Sequence, residues 1–355
     1  MPAQLYHLVA FLVSAIVVLW STPLVKKIAL KSGRVDLPNG RKVHQRPMVR
    51  LGGISIYAGT LIALLFVWWR GGFLDATGQI LSPEAEYEIW GVTIGGLAFF
   101  LIGLADDLFS LPAISRLLLQ SAVAAWAWHV GVQIEFLTTP FFGLVTLPAW
   151  ISLPITLLWL VGMANAINWI DGVDGLAAGV SGIAAVVMLV ASLFMHQPAA
   201  GLVAAALAGG SLGFLRYNFN PAQIFMGDGG AYFLGFTLAG VSAIGLIKGV
   251  TTVAVLLPYL ILAVPLVDMS AVIVSRVFQG RSPFVADNRH LHHRLLQAGL
   301  SQRLTVLFIY SLTLWVGSLA LAVAGIPSGL GYALGATGLL SYTSWLVWKH
   351  SRARG

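Results

Sequence analysis

The chain has 355 residues, of which 58% are hydrophobic and only 9% charged, with a mean hydropathy of +0.87. A composition this apolar excludes a water-soluble domain with a polar exterior and makes the bilayer the solvent. Cysteine is absent, which excludes disulfides, thiolate metal sites and cysteine nucleophiles, and the net charge of +7 leaves open whether nucleic acid is bound until the basic residues are placed.

Crossing about 30 Å of hydrocarbon takes about 17 to 25 apolar residues. Runs of that length fall near 5–24, 52–70, 89–105, 116–133, 148–164, 176–195, 200–215, 230–247, 251–275, 304–325 and 328–348, eleven in all. Pro or Gly interruptions, above all between the sixth and seventh and between the last two, also allow ten. The first run has no charged start and no small-residue cleavage site, so it reads as a retained span. The expected fold is an all-α integral membrane protein, a polytopic bundle of about 10–11 transmembrane helices with its active site on cytoplasmic loops. No soluble domain, low-complexity linker or internal repeat interrupts it, so residues 1–355 read as a single polytopic membrane catalytic domain.

Short loops rich in Lys and Arg stay in the cytoplasm. The first loop carries Lys26, Lys27, Lys31, Arg34, Arg41, Lys42, Arg46 and Arg50, which with eleven spans puts the amino terminus outside. The same register, set without reference to chemistry, places the polar segments 36–53, 105–116, 165–175, 217–230 and 276–294 together on the cytoplasmic face. Membrane orientation accounts for the basic excess, and no nucleic acid partner is expected.

The densest polar stretch is Asn165-Ala-Ile-Asn168-Trp-Ile-Asp171-Gly-Val-Asp174-Gly-Leu, with an amide or carboxylate at every third position. A tight three-residue turn lines such side chains up, so the spacing is expected to aim all four into one space. A helix begins near Asp174, and a cap would use one of the four and leave three. Asp106-Asp107 closes an apolar span; adjacent carboxylates there repel unless a cation or several donors lie nearby, and a helix cap would also use them. With Asp171, Asp174 and Asp228 on the same side and no cysteine, the oxygen donors suit Mg²⁺ or Mn²⁺. Asp228 sits in Phe225-Met-Gly-Asp-Gly-Gly directly before a span, where phosphate could meet free N–H donors, although an N-cap beside a glycine helix interface explains the same residues.

In Arg289-His290-Leu-His292-His293-Arg294, helical spacing puts His290 and His293 on one side and His292 elsewhere, and the arginines oppose a bound cation. Arg and imidazolium donors suit phosphate, and an exposed basic loop would look the same. The first loop sets Asp36, Asn39 and His44 among Pro and Gly turns beside Arg41 and Lys42. Asp268 lies inside the ninth run, where an ionisable group needs a partner.

Taken together, these motifs resemble those of the polyprenyl-phosphate N-acetylhexosamine-1-phosphate transferases, from about Gly33 to Arg294. Asp106-Asp107 matches that family's aspartate pair, 165–176 its Asn-x-x-Asn-x-x-Asp-Gly-x-Asp-Gly segment, Gly227-Asp228 its metal-binding aspartate, and Phe225 the ring that stacks on uracil. His290-Leu-His292-His293 is similar to the His-x-His-His of the undecaprenyl-phosphate N-acetylglucosamine-1-phosphate transferase branch. Arg116 departs from the pattern, standing where the family usually carries Lys.

The resemblance implies Mg²⁺-dependent transfer of a sugar 1-phosphate, N-acetylglucosamine 1-phosphate first, from a UDP-N-acetylhexosamine to undecaprenyl (polyprenyl) phosphate. The setting it implies is the cytoplasmic side of a bacterial inner membrane, and it allows a homodimer in the lipid bilayer. It makes Asp106 and Asp107 catalytic, Asp106 deprotonating or orienting the lipid phosphate and Asp107 assisting at the metal, and gives Asp228 and Asn168 metal ligation. Substrate binding falls to Asn39, Arg41, Lys42, His44, Arg116, Asp171, Asp174, Phe225, Arg289, His290, His292 and His293. The phospho-N-acetylmuramoyl-pentapeptide transferase branch is the alternative activity. A secondary transporter, the alternative of another class, would place its site near the midplane on broken helices, whereas these acids sit at one edge.

Overall fold

Each apolar run of the sequence coincides with helix in the computed structural model, which describes residues 3–33, 48–139, 143–247, 252–280 and 289–352. In chain order the helices are α1 (Ala3–Lys31), α2 (Gly53–Trp69), α3 (Pro83–Phe109), α4 (Ala113–His129), α5 (Ala149–Ile170), α6 (Leu176–Phe194) and α7 (Pro198–Asn218). They continue as α8 (Gly227–Val241), α9 (Thr252–Ile261), α10 (Ala263–Phe278), α11 (Leu291–Gln297), α12 (Gln302–Val323) and α13 (Gly329–Arg352). Seven helices among the described residues are long and apolar enough to cross a membrane, namely α1, α3, α5, α6, α7, α12, and α8 with its extension to Leu246. The chain is a multi-pass, all-α membrane protein.

Three features depart from the sequence reading. The ninth run is two helices, because Pro265 has no N–H to give Ile261 four residues earlier, and α9 stops at that residue. A short antiparallel hairpin, β1 (Phe136–Thr139) and β2 (Gly143–Thr146), joins α4 to α5, with Phe136 opposite Thr146. The histidine motif begins one residue before its helix: His290 is the N-cap of α11, in extended backbone, rather than a helical residue sharing a face with His293.

The helix ends follow local chemistry. Ser82 Oγ accepts from Ala85 N at 3.3 Å, Pro83 opens α3, and Glu84 and Glu86 lie in its first turn, where the helix dipole favours negative charge. Ser110, at φ 54°, turns the chain out of α3 just after the aspartate pair.

α8 is the centre of the bundle, and every residue from Gly227 to Val241 except Asp228 is buried. Glycine lets its neighbours approach backbone to backbone, as membrane helices require when no hydrophobic force draws them together. A Cβ on Gly103 of α3 would stand 2.5 Å from the Asp228 carbonyl carbon, and one on Gly235 would stand 2.5 Å from the Met163 oxygen of α5. One on Gly53 of α2 would stand 2.5 Å from Gly230 N. The segment before α2 is tied to the one before α8 by Phe225 N to Val49 O (2.8 Å), Gly52 N to Phe225 O (2.9 Å) and Gly53 N to Met226 O (2.9 Å). The ends of α3 and α5 and the starts of α2 and α8 therefore meet at one end of the bundle.

The two ends of α3 are separated by 27 residues, about 40 Å of helix, enough to cross the bilayer. In this cysteine-free chain, Glu84→Cys and Ala113→Cys are expected to react with a membrane-impermeant maleimide from opposite sides in oriented vesicles. Labelling of both from one side would refute the crossing.

Candidate active site

Asp107 and Asp228 form the centre. Asp107 Oδ2 accepts from Gly229 N at 3.2 Å, and Asp228 Oδ1 accepts from Asn168 Nδ2 at 2.9 Å. Arg50 stands between the two carboxylates, 3.8 Å from each. Asp106 adds a third carboxylate, close enough for its charge to act on Asp228. Its own oxygens are occupied, Oδ1 by Leu111 N at 2.8 Å and Oδ2 by the Arg116 guanidinium. Gly227 has φ +73°, and a Cβ there would collide with the Arg50 carbonyl and with Asp107 Oδ2, so only glycine fits the turn that presents Asp228.

The capping explanations fail for these acids. The N-cap of α8 is Met226 and that of α6 is Gly175 at φ 80°, neither with a side-chain cap bond. Among the described residues no three His, Asp or Glu groups already stand at metal-ligand spacing. The donor set nevertheless fits a hard cation: Asp107 Oδ1 is buried without a hydrogen-bond partner, and it shares Arg50 with Asp228.

The four residues at three-residue spacing do not converge. α5 stays α-helical to Ile170, so they fan out. Asn165 Nδ2 bonds Gln120 Oε1 and Val161 O, both at 2.8 Å, away from the acids. Asn168 reaches Asp228. Asp174 Oδ2 accepts from Asn220 Nδ2 (3.0 Å) and Ala222 N (2.9 Å), which makes it a brace between two loops. Asp171, just past the helix, keeps some solvent contact. Burial among the loops pushes its carboxyl up to about 7; Arg50 pulls the other way, and Asp228 and Asp174 add to the rise.

The histidines cluster against this corner. The His290 ring lies 5.8 Å from Trp169, edge to face, and 5.7 Å from His292 in a parallel stack, while His292 and His293 are 4.2 Å apart. His292 is 1% exposed rather than a solvated loop residue, and its Nε2 faces Gly172, 2.6 Å from where a Cβ would be. Burial, with the charges of His293 and His290, drops it to about 3, so it stays neutral at physiological pH and is no imidazolium donor. Arg289 is exposed and donates to Ser275 Oγ at 3.1 Å, and Phe225 is half-buried beside the α2–α8 junction. Asn39, Arg41, Lys42 and His44 lie outside the described residues. Arg50, Gln120 and Asn220 were not singled out in advance: Arg50 looked like any other basic residue at the inner face, and the two amides carry no motif.

The site thus gathers carboxylates, a guanidinium and an amide at one end of an apolar helical bundle. The chain belongs to the glycosyl transferase family 4, whose model matches residues 89–247, and within it to the polyprenyl-phosphate N-acetylglucosamine-1-phosphate transferases. It is 38% identical over 302 residues to a probable undecaprenyl-phosphate N-acetylglucosaminyl 1-phosphate transferase of Bacillus subtilis, covering 85% of this chain and 80% of that one. It is 36% identical over 338 residues to the decaprenyl-phosphate N-acetylglucosaminephosphotransferase of Mycolicibacterium smegmatis, covering 88% and 80%. With the undecaprenyl-phosphate alpha-N-acetylglucosaminyl 1-phosphate transferase of Escherichia coli K12 the identity is 30% over 288 residues, covering 78% and 73%.

The raised Asp171 carboxyl has a consequence for stability. Between its ordinary value near 3.8 and about 7 the folded chain holds a proton that the unfolded chain has lost, so stability falls as pH rises through that window. Asp171→Asn removes the titrating group. Its melting temperature relative to wild type is expected to rise from pH 4 to 7 and level off above; a difference that stays constant with pH would contradict this environment.

Proposed function

We propose that the chain transfers N-acetylglucosamine 1-phosphate from UDP-N-acetylglucosamine to undecaprenyl phosphate, releasing UMP and leaving a lipid pyrophosphoryl sugar for envelope polysaccharide. The observation that carries this reading is the gathering of Asp106, Asp107 and Asp228 at the end of an apolar bundle, where a lipid-borne phosphate and a water-borne nucleotide can meet.

The acidic end would face the cytoplasm of a bacterial inner membrane. Lys26, Lys27 and Lys31 line one cavity there with Tyr217 and Gln223, and Arg303 Nε donates to the Asn220 carbonyl at 3.2 Å. Asp75 follows α2 and Glu84 stands in the first turn of α3, both at the opposite end of these helices, the distribution expected when basic residues stay inside.

In the reaction, an oxygen of the lipid phosphate attacks the β-phosphorus of the UDP-sugar. The bond from that phosphorus to the bridging oxygen breaks, and UMP leaves with the electron pair. Arg116, fixed by Asp106, orients the attacking phosphate through its charge, so Asp106 acts as an orienting group rather than as a free base. Arg50 lies where it can meet the diphosphate. Asp107 and Asp228 would hold Mg²⁺, or Mn²⁺ in its place, with Asn168 completing the set. Such an ion, when bound, neutralises charge on the pyrophosphate during in-line displacement.

The test is purified protein with radiolabelled UDP-N-acetylglucosamine and undecaprenyl phosphate, scored for lipid product and UMP against Mg²⁺ concentration. Asp228→Asn is expected to lower turnover by about a thousandfold or more, since a charged ligand to a metal at the transition state contributes several kcal/mol. Its melting temperature should stay close to wild type, because Asp228 caps no helix. Wild-type turnover with unchanged Mg²⁺ dependence would remove Asp228 from the metal site.

A further inference from the structure

Asp268 is buried at 9% exposure in α10, and none of the roles above uses it. Its two oxygens hold consecutive residues of another element. Oδ2 lies 2.8 Å from His290 Nδ1, and Oδ1 accepts from Leu291 N at 2.7 Å. His290, the N-cap of α11, makes no side-chain cap bond of its own, so the carboxylate from α10 supplies the cap. Because a carboxylate oxygen only accepts, Nδ1 must carry a proton, and Nε2 is the nitrogen left to face a ligand. The ring so fixed packs on Trp169 and His292, and His292 presses on Gly172, the residue after Asp171.

A carboxylate behind Nδ1 lets the ring donate from both nitrogens, as an imidazolium between Asp268 and a phosphoryl oxygen; an amide behind it does not. We propose that Asp268 is a positioning residue which, by gripping the His290 ring and the Leu291 N–H together, sets the affinity for the diphosphate of the nucleotide sugar. This rests on the reading of the histidine row as a nucleotide-sugar contact. The rival account is a buried ion pair that serves folding alone, since losing one partner of such a pair destabilises whatever its function.

Asp268→Asn separates the two. Asn Oδ1 can still accept from Leu291 N, which keeps the cap, while its NH₂ faces Nδ1 and drives the ring proton to Nε2. The expected result is a KM for UDP-N-acetylglucosamine raised on the order of tenfold, the difference between a charge-assisted hydrogen bond and the neutral Nε2–H bond that the variant keeps, with kcat and the undecaprenyl phosphate KM within about twofold. His290→Ala should raise the same KM, and the double variant should be no worse than His290→Ala, as for two residues acting through one contact. In ¹⁵N-histidine spectra of the full-length protein, the Nδ1–H signal of His290 should disappear in Asp268→Asn.

A wild-type KM in Asp268→Asn beside an impaired His290→Ala would overturn the positioning role. A lowered melting temperature with both KM values and kcat worsening together would overturn it in favour of the structural account. An unimpaired His290→Ala would instead overturn the histidine row as a nucleotide-sugar contact, and the proposal with it.

Discussion

The acidic centre exists because two helices touch through their backbones. Where α3 passes the start of α8, Gly103 faces the Asp228 peptide group with no room for a methyl, and Gly229 comes close to α3 in turn, a Cβ there standing 3.0 Å from the Phe100 carbonyl and 3.1 Å from the Leu104 amide. That contact brings Asp107 under the Gly229 N–H and Asp228 beside it. Carboxylates this close repel, and at a membrane edge little solvent screens them. The apolar packing of α8 against α3, α5 and α2 opposes that repulsion, so a core with no chemistry of its own fixes the site geometry.

Around this centre the loops divide their work. Asp174 ties the loop after α5 to the loop before α8, and Asn220, its donor, also bonds Gln302 Oε1 at 2.6 Å. Tyr310 from α12 donates to the Gly175 carbonyl behind the same turn. Asp106 braces the α3–α4 corner through Leu111 and Arg116. Much of the polar inventory at this end therefore holds backbone in place, and Asp107, Asp228, Arg50 and Asp171 are the groups left for the proposed transfer to use.

The helices were legible because a run of 20 apolar residues has few other uses, and the common face was legible because basic residues orient short loops. The acids were legible as well, since a carboxylate beside an apolar span needs a reason. What each acid bonds was not. Three-residue spacing suggested convergence, but the α-helix advances about 100° per residue, and Asn165 ends up on Gln120 of α4 while Asp174 ends up on Asn220. The surroundings of His292 were hidden for another reason: burial under Gly172 is set by how α11 docks, and no residue within the His-Leu-His-His motif encodes that. The partner of Asp268 lies 22 residues away across a helix end, beyond any local pattern.

The glycine contacts also bear on how such a site can change over generations. Where a hydrogen atom is the whole side chain and the neighbour is a main chain, no graded series of substitutions exists; the next size up already displaces a helix. Gly103, Gly227 and Gly235 are fixed points in that sense. Changes in what the protein accepts are then open only where side chains meet side chains, and the backbone contacts beneath the acidic centre leave it no such freedom.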